Sequence, residues 1–410
     1  MSQINEPHVK QSSCSYCGDA PINHTFSFIE SWVAFNVEAH LVKPIKIFPN
    51  LLKDLVDLIP VFLFETLALL KMTKFSSDIN KANTFRSKII WEEAKKRGIL
   101  MEQVIFFGKP LDQYRLIFKN KNKKKKFYFE SIPIRPEFLD MKQNWDDKVA
   151  LKQEFEKHDI PIPAYFEFPL WHFKNTKKNI RKIFSKIKNP LVVKPRIGSR
   201  GRHTITNINS LQQLQEGISI AGQICSHLII EEHLKGNVCR ATLVNGAMAG
   251  FYMGRAPTLF GDGQRSVKEL IEEKDKKRQN RVEPIRISKE LHDHIGRSGF
   301  AIDDILPDGV SLPLSHRIGR LFGGTTCEML DELHPSFISI LEKATKILGL
   351  SVVGFDAIIP DPTKPAYSQH WGIIECNTLP FIDLHYYALE GTHKNIAGMI
   401  WDMWGEASLS

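Results

Sequence analysis

Acidic and amide side chains interrupt two short apolar segments near the end of the chain. Asp356 lies in the segment from Ser351 to Pro360, while Glu375 and Asn377 lie in the segment from Trp371 to Pro380. Both segments are short, rich in β-branched residues and bounded by turn residues, which predicts strands. Side chains alternate along a strand, so Glu375 and Asn377 share a face that Asp356 of a partner strand could join.

These three side chains suit a hard divalent cation. Two carboxylates and one amide oxygen form the all-oxygen ligand set that Mg²⁺ prefers. An acid within an apolar strand is costly unless it is paired or bound to a metal, which favours a metal site. The alternative is an ordinary pair of strands with solvated polar residues.

A second candidate site is a lysine at a strand end, followed by a loop of Gly, Ser and Arg. Lys194 lies at the end of the apolar segment Leu191–Pro195, and the loop Arg196–Arg202 follows it. Glycine lets backbone N–H groups approach phosphate oxygens and the cations neutralise charge, so the loop suits a triphosphate. The residue order is neither a P-loop nor a Gly-x-Gly-x-x-Gly motif, and a turn without special function is the alternative.

The elements that must position these residues are predicted from apolar periodicity and turn signals. The segment Leu228–Leu234 is an apolar strand that becomes polar, and its edge could present backbone groups and Glu231 to a purine base. The segment Arg240–Arg255 forms a hairpin around Asn245-Gly246, and a helix begins near Asp146. Other predicted elements are a helix at Phe85–Gly98, a hairpin of strands Tyr114–Phe118 and Phe127–Ile132, and helical segments at Phe26–His40 and Leu51–Met72.

Composition limits the class of protein. The chain has 410 residues, a net charge of +9 and 42% hydrophobic residues, which is typical of a globular protein with two or three domains. Much of the positive charge lies in one lysine run between residues 119 and 126, which predicts a solvated hairpin tip, and no aromatic-interleaved basic surface indicates nucleic acid. Charged residues interrupt the most apolar window, Leu51–Leu70, so we expect no transmembrane helix, and a buried or partner-facing helix is favoured over peripheral membrane contact.

The cysteines indicate a reducing compartment. Six scattered cysteines do not form a disulfide framework, and the N-terminus lacks a signal pattern, so we expect a cytoplasmic protein. Cys14 and Cys17 have the spacing of half a zinc site, and His24 and His40 are the close candidates for further ligands. Two ordinary thiols are the alternative.

Five short motifs occur in an order that resembles the ATP-grasp superfamily. They are Asp147-Lys148, Val193-Lys194-Pro195 with its glycine loop, Ile230–Gly236, Gly354-Phe-Asp356 and Ile374–Asn377. Further segments are similar to the ATP-grasp modules of cyanophycin synthetase and bifunctional glutathione synthetase. These are Ala94–Ile99, Arg255–Gly263, Ser266–Lys274, Gly323–Thr325 and Asp331–Pro335. The resemblance extends from about Phe85 to His385.

The resemblance implies an α+β (α/β) fold in which two α+β subdomains clasp ATP. A helical appendage (1–84) and a small α/β domain (85–145) would precede the ATP-grasp domain (146–405). Within that domain, the lid subdomain would cover about 146–235 and the metal and substrate subdomain about 236–405.

The resemblance also implies roles for individual residues. ATP and Mg²⁺, or alternatively Mn²⁺, would be the cofactors, and Asp356, Glu375 and Asn377 would hold the metal. Lys148 and Lys194 would contact the phosphates. The expected lid residues are Gly198, Ser199, Arg200 and Gly201, and the expected adenine-pocket residues are Glu231, Glu232, His233 and Leu234. Arg317, Arg320 and His385 are candidates for contacts with substrate and acylphosphate, with a surface salt bridge or helix cap as the alternative for each.

The implied reaction joins a carboxylate to an amine through an acylphosphate, with an amino acid or peptide as substrate. Several positions depart from the family pattern: Val238 replaces an acid that binds ribose, Leu314-Ser315 replaces Leu-Arg, and Pro380-Phe381 with Asp383 replaces an Asn-x-x-Pro-Gly loop. These departures leave reduced activity open, so a nucleotide-binding module without ligation and a phosphotransferase are the alternatives. The oligomeric state, including a homo-oligomer, is also left open.

Overall fold

The computed structural model describes residues 14–18, 21–38, 60–120, 123–134, 144–170 and 176–405. Within them the helices are α1 (His24–Val33), α2 (Phe85–Lys96), α3 (Lys148–Glu156), α4 (Thr176–Lys186), α5 (Leu211–Ala221), α6 (Val267–Lys276), α7 (Lys289–Gly296), α8 (Pro335–Leu348), α9 (Asp383–Tyr386) and α10 (Ile396–Asp402). The strands are β1 (Thr73–Ser76), β2 (Met101–Phe106), β3 (Lys109–Asn120), β4 (Lys123–Glu130), β5 (Tyr165–Pro169), β6 (Leu191–Pro195), β7 (Ile205–Ile208), β8 (His227–Glu232), β9 (Asn237–Val244), β10 (Ala247–Arg255), β11 (Thr258–Phe260), β12 (Ser311–Pro313), β13 (Thr325–Glu328), β14 (Val352–Ile359) and β15 (Gly372–Asn377). Residues 60–69 are also helical.

A four-stranded antiparallel sheet forms the small domain, in the order β1-β2-β3-β4, with α2 packed against it through Ile90 and Trp91. The predicted hairpin beside the lysine run is confirmed, since β3 pairs with β4 up to Asn120 opposite Lys123. Strand β1 belongs to this sheet, although the sequence placed it in the N-terminal appendage. The predicted helix at 51–72 is observed at 60–69, and residues 51–59 lie outside the described residues.

The region predicted to be the lid subdomain contains a second antiparallel sheet, in the order β5-β8-β6-β7. Buried residues of its central strands, such as Leu191, Val193 and Ile230, pack with residues of α4 and α5. Ser210 caps α5 by accepting a hydrogen bond from the backbone N–H of Gln213. This sheet positions Lys194 at the end of β6 and Glu231 near the end of β8.

The largest sheet has five antiparallel strands in the order β13-β10-β9-β14-β15. One face is apolar and packs against α8, which has Pro335 in its first turn and ends at Gly349 in the left-handed conformation. Leu151 and Phe155 of α3 also lie in this core, so α3 packs with the five-stranded sheet although the sequence assigned it to the lid subdomain. The other face carries polar side chains, as the alternation along β14 and β15 predicts.

The α+β class predicted from the sequence is confirmed. Both predicted metal strands are present as β14 and β15, and the predicted hairpin around Asn245-Gly246 is present as β9 and β10. The predicted helix at 26–40 is observed as α1 and a following turn that reaches Glu38, while His40 lies outside the described residues. Among the described helices, none combines the length and the apolar character that crossing a membrane requires.

Candidate active site

Asp356, Glu375 and Asn377 lie together on the polar face of the five-stranded sheet. Asp356 is directly opposite Glu375 in the β14–β15 ladder, and the side-chain amide of Asn377 donates a hydrogen bond of 3.3 Å to Asp356 Oδ2. Gly354, which pairs with Asn377, lets Pro380 and the Arg240 side chain approach the strand closely, because a Cβ atom there would lie 2.8 Å from Pro380 and 3.2 Å from Arg240. The predicted proximity of the three side chains is therefore observed.

Arg240 is an unpredicted member of this face. It lies opposite Asp356 in the β9–β14 ladder and is almost fully buried. Its guanidinium donates Nε–H to Asp356 Oδ1 at 2.5 Å and an Nη2–H to Oδ2 at 2.6 Å, a bidentate pair. Without this cation, Asp356 and Glu375 would face each other as like charges on adjacent strands, which is destabilising.

Glu375 is the carboxylate of this pair that Arg240 does not bind directly. The ammonium group of Lys148 lies 3.7 Å from Glu375 Oε1, too far for a hydrogen bond. Burial and the neighbouring Asp356 raise the pKa of the Glu375 carboxyl above its usual range, against the lowering effects of Lys148, Lys194 and Arg240. A cation in contact with Glu375 would offset this cost.

The donor set fits a divalent cation such as Mg²⁺. Each carboxylate oxygen has two lone pairs, so Asp356 retains acceptor capacity while it is paired with Arg240. Glu375 is partly buried, with 19% of its side chain exposed, and carries a charge that its surroundings disfavour. Asn377 uses its N–H₂ group towards Asp356, so its amide oxygen keeps its capacity to accept or to bind a cation.

A buried cluster of two lysines and one glutamate lies beside this face. The Lys194 ammonium is 2.9 Å from Glu231 Oε2 and donates to the Ile374 carbonyl at 3.3 Å. The Lys152 ammonium is 3.1 Å from Glu231 Oε1. Burial alone would raise the pKa of Glu231, but Lys152 and Lys194 hold it below its usual value, whereas burial lowers the pKa of Lys152 to about 8.

The loop predicted to be the lid, Arg196–Arg202, contacts the start of α3. Lys148, at the first position of α3, donates from Nζ to the carbonyl of Gly198 at 3.0 Å. Arg196 forms a bidentate pair with Asp147, with both N–O distances at 2.7 Å, and Asp147 also caps α3 by accepting from the N–H of Val149. These contacts hold Lys148 between the lid and Glu375.

The remaining predicted lid residues have contacts within the loop and with the Pro380 loop. Ser199 accepts hydrogen bonds from Arg202 at its carbonyl and its hydroxyl. The Gly201 carbonyl is 3.1 Å from a ring nitrogen of His316. The Arg200 guanidinium lies 5.5 Å from the ring centroid of Phe381, a residue that departs from the family pattern.

The predicted adenine-pocket residues point in several directions. Glu231 is buried and directed at the two lysines, and not at an open edge. Glu232 accepts from the N–H of Ala164 and lies 3.1 Å from a ring nitrogen of His370, so it fastens the connector before β5. His233 is partly buried, its backbone N–H donates to the Pro190 carbonyl, and Leu234 is buried.

The three residues predicted to contact substrate differ in how deeply they are buried. Arg317 is buried and binds Glu290 at 3.0 Å and the Tyr16 carbonyl at 2.8 Å. His385 is fully buried over the same sheet, with its ring nitrogens 2.6 Å from Glu328 and 2.7 Å from Thr242. Both side chains are therefore committed to protein partners.

Arg320 is the more accessible of the predicted substrate contacts. It is partly exposed, and its guanidinium lies 5.8 Å from the ring centroid of Tyr387. Sequence reasoning missed Lys152 and Arg240. Lys152 carried a detectable signal, because it is four residues after Lys148 and so shares its face of the helix. Arg240 had none beyond its presence in a strand whose pairing was unknown.

Comparisons with curated proteins confirm the resemblance to ATP-grasp enzymes. The chain is similar to cyanophycin synthetase of Geminocystis herdmanii, with 30% identity over 222 residues that make up 52% of this chain and 25% of that protein. It is also similar to the glutathione biosynthesis bifunctional protein of Streptococcus mutans, with 26% identity over 267 residues, 62% of this chain and 34% of that protein. The matches thus span a quarter to a third of the relatives' length. No family model matches the chain.

Two solved structures of a synthetase and a ligase align with parts of the chain. A bifunctional glutathione synthetase from Pasteurella multocida aligns with a TM-score of 0.47 and 19% identity, over 79% of this chain and 44% of that one. D-alanine–D-alanine ligase from Bacillus anthracis aligns with a TM-score of 0.36 and 15% identity, over 63% of this chain and 65% of that one.

Proposed function

We propose that the chain is an ATP-dependent carboxylate–amine ligase that forms an amide or peptide bond on an amino acid or peptide. The curated relatives are synthetases, which supports an enzyme of the ligase class. The sequence similarity covers parts of those proteins only, so the substrates are a matter for experiment.

One observation carries this proposal: cations from two elements converge on the carboxylate face of the five-stranded sheet. Lys148 comes from α3 and lies 3.7 Å from Glu375, and Lys194 comes from β6 and donates to the carbonyl of Ile374. A polyphosphate between the lid loop and Glu375 would meet ammonium groups on one side and the metal ligands on the other. Such placement of charge suits phosphoryl transfer, in which positioning and electrostatics supply most of the catalysis.

The proposed reaction has two balanced steps. First, a carboxylate oxygen of the substrate attacks the γ-phosphorus of ATP, the bond to the β,γ-bridging oxygen breaks, and ADP leaves. Then an amine attacks the acyl carbon, the bond to the phosphate oxygen breaks, phosphate leaves, and the new amide nitrogen loses a proton. Mg²⁺ or Mn²⁺, when bound by Asp356, Glu375 and Asn377, neutralises charge on the phosphates.

The chain's own residues divide this work. Lys148 and Lys194 bind phosphate oxygens, and the backbone of Gly198, Ser199, Arg200 and Gly201 covers them. Glu231 and Lys152 position Lys194, while residues Glu232 to Leu234 border the base. Arg320 remains the candidate for substrate contact, and Arg317 and His385 act as positioning residues because their polar atoms bind protein partners.

Two observations favour a second candidate, a nucleotide-binding module without ligation. Both oxygens of Asp356 already accept hydrogen bonds from Arg240, and Val238 stands where relatives carry a ribose-binding acid. ADP release from ATP with Mg²⁺ should be measured over a panel of amino acids and dipeptides, singly and in pairs. ADP and phosphate that appear only with one pair would establish a ligase and name its substrates.

Other outcomes of this assay decide between the alternatives. ADP with a stable phosphorylated product and no amine would indicate a phosphotransferase. ATP binding without turnover for any pair would indicate the binding module. For the metal site, Glu375→Ala should abolish turnover, with the exposed Glu332→Ala as control. Turnover unchanged in Glu375→Ala at ordinary Mg²⁺ would overturn the metal assignment.

A further inference from the structure

Two cysteines and two histidines meet where the N-terminal segment contacts the end of the lid loop. Cys14, Cys17, His24 and His203 each direct one ligand atom to a common point, and these four atoms all lie within 4.8 Å of one another. His24 Nε2 is 3.2 Å from Cys17 Sγ, and His203 Nε2 is 3.5 Å from Cys14 Sγ and 3.6 Å from Cys17 Sγ. None of the four is among the residues assigned to ATP and Mg²⁺.

Local backbone structure holds these four side chains in place. Residues Ser15–Cys17 form one helical turn that Gly18 ends in a positive-φ conformation, which brings Cys14 and Cys17 together. His24 is the first residue of α1, whose start Asn23 caps. The backbone N–H of His203 donates to the Tyr16 carbonyl at 3.0 Å, which ties the turn to the residue after the lid.

The tautomer of His203 is set for metal binding. Its Nδ1 lies 2.7 Å from the carbonyl oxygen of Ile220. A carbonyl can only accept, so Nδ1 carries the proton and Nε2 presents its lone pair to the two sulfurs. A hydrogen bond from the distal ring nitrogen to a carbonyl is the usual support of a histidine metal ligand. His203 is fully buried, and Cys17 is 1% exposed.

We propose that these four residues bind one Zn²⁺ ion in a structural Cys₂His₂ site. Thiolate and imidazole ligands select zinc over hard cations such as Mg²⁺ and Ca²⁺. In a tetrahedral site with Zn–S near 2.3 Å and Zn–N near 2.0 Å, ligand atoms are separated by roughly 3.3–3.8 Å. The separations of 3.5 and 3.6 Å between His203 Nε2 and the two sulfurs lie within that range, and the 3.2 Å between His24 Nε2 and Cys17 Sγ lies just below it.

The ion would fasten the N-terminal segment to the lid subdomain. His203 follows Arg202, the last residue of the lid loop, and the Tyr16 carbonyl between the two cysteines also accepts from Arg317. The Tyr16 hydroxyl donates to Asp293 of α7. Zinc at this position would therefore hold residues 14–18 and 21–33 against both the lid loop and α7. One end of the loop would be fixed by the ion, and the other end is held by the Arg196–Asp147 pair.

Sequence spacing supplied only part of this site. The Cys14–Cys17 pair and His24 were visible as half of a zinc motif, whereas His203 is 186 residues after Cys17. The backbone of the lid subdomain brings it to the cysteines, which no local pattern predicts.

The first test is the metal content of the full-length protein, purified under reducing conditions without chelator. About one zinc per chain is expected, and the Co²⁺-substituted protein should show thiolate-to-cobalt charge transfer and the d–d bands of a tetrahedral ion. Absence of zinc, together with no zinc uptake by the chelator-treated protein, would overturn the proposal.

Matched variants locate the ion. Cys17→Ser and His203→Gln should reduce bound zinc from about one per chain to near zero, while the controls Cys327→Ser and His334→Gln should retain it. If either site variant fails to fold, wild-type protein gives the answer: a chelator should lower the midpoint of thermal unfolding, and Zn²⁺, but not Mg²⁺, should restore it. The assignment would be contradicted if both site variants retained about one zinc per chain, or if chelator did not change the unfolding midpoint of the wild type. These readouts are independent of ligase activity.

Discussion

The Lys152 ammonium lies 3.1 Å from one carboxylate oxygen of Glu231, and both side chains are almost completely buried. The other carboxylate oxygen is 2.9 Å from Lys194, so one glutamate holds two lysines from different elements. This contact joins α3 to β8 and β6. It therefore fixes the helix that carries Lys148 relative to the strand that carries Lys194, which is the geometry that a polyphosphate site requires.

Replacement of Lys152 by methionine tests how much this cluster stabilises the folded protein. Lys152→Met leaves Glu231 buried with one cation in place of two. The buried Glu231 carboxylate then keeps Lys194 but loses the cation at its other oxygen, so we expect the free energy of unfolding to fall by about 3 kcal/mol, the lower end of the range for breaking a buried ion pair. Denaturant unfolding measures this change.

A control for Lys152 lies at the end of the same helix. Lys157 has an exposed side chain paired with Glu154 at 2.7 Å. Exposed ion pairs stabilise proteins by less than about 1 kcal/mol, so Lys157→Met should have little effect. If both variants lost the same free energy of unfolding, the buried cluster would stabilise the protein no more than an exposed ion pair does.

The second prediction concerns Arg240 and the effect of Mg²⁺ on the stability of the protein. Arg240→Met removes the cation that pairs with Asp356 and leaves two like charges, Asp356 and Glu375, on adjacent strands, so the metal-free variant should lose roughly 3–5 kcal/mol of unfolding free energy. A divalent cation between the carboxylates would replace part of that charge, and Mg²⁺ should raise the unfolding midpoint of Arg240→Met more than that of the wild type.

The control for Arg240 is Arg265, whose side chain is 42% exposed and pairs with Asp262. Arg265→Met should lower stability slightly and respond to Mg²⁺ as the wild type does. If Arg240→Met is destabilised but Mg²⁺ does not raise its unfolding midpoint more than that of the wild type, Arg240 does not contribute to the metal site.

The third prediction concerns Lys148 and the affinity of the protein for ATP. Its ammonium donates to the Gly198 carbonyl in the lid, and a phosphate oxygen would take over that hydrogen bond. Charge-assisted hydrogen bonds contribute about 1.5–3 kcal/mol, so Lys148→Met should weaken ATP binding roughly 10- to 100-fold. Titration calorimetry with ATP and Mg²⁺ measures this, with the exposed Lys182→Met as control. Unchanged affinity would exclude Lys148 from the phosphate site.

Local sequence patterns predicted those parts of the site that lie on single strands. Alternation along β15 placed Glu375 and Asn377 on one face, and apolar runs with turn residues marked β14 and β15. Asp356 joined them because two strands so close in sequence usually pair. These features depend on residues near one another in the chain, which is why they could be predicted.

The rest of the site depends on pairing between distant elements. Arg240 faces Asp356 only because β9 lies between β10 and β14, and the sequence does not specify that order. His385 was a candidate for substrate contact, yet it is fully buried and its ring nitrogens contact Glu328 and Thr242. A buried polar residue with two partners cannot be distinguished from an exposed one until those partners are known.

Glu375 makes the last prediction, on pH. The raised pKa means that folded protein holds this proton at pH values where the unfolded chain, with a value near 4.3, has lost it. The native state then binds more protons, so stability from this group is present at low pH and falls as pH rises through the folded pKa. Ionised Glu375 should therefore destabilise the metal-free protein at neutral pH.

Glu375→Gln removes this charge while keeping the side-chain shape. In a chelator at pH 7, we expect the variant to unfold a few degrees above the wild type, a gain of roughly 1 kcal/mol. The gain should shrink as pH falls towards 4.5, because the wild-type carboxyl becomes protonated, and it should shrink with saturating Mg²⁺, because the metal binds the ionised form. A wild type that is more stable than Glu375→Gln at pH 7 without metal would show that Lys148 and Arg240 already stabilise the carboxylate, and Glu375 would then need no metal partner.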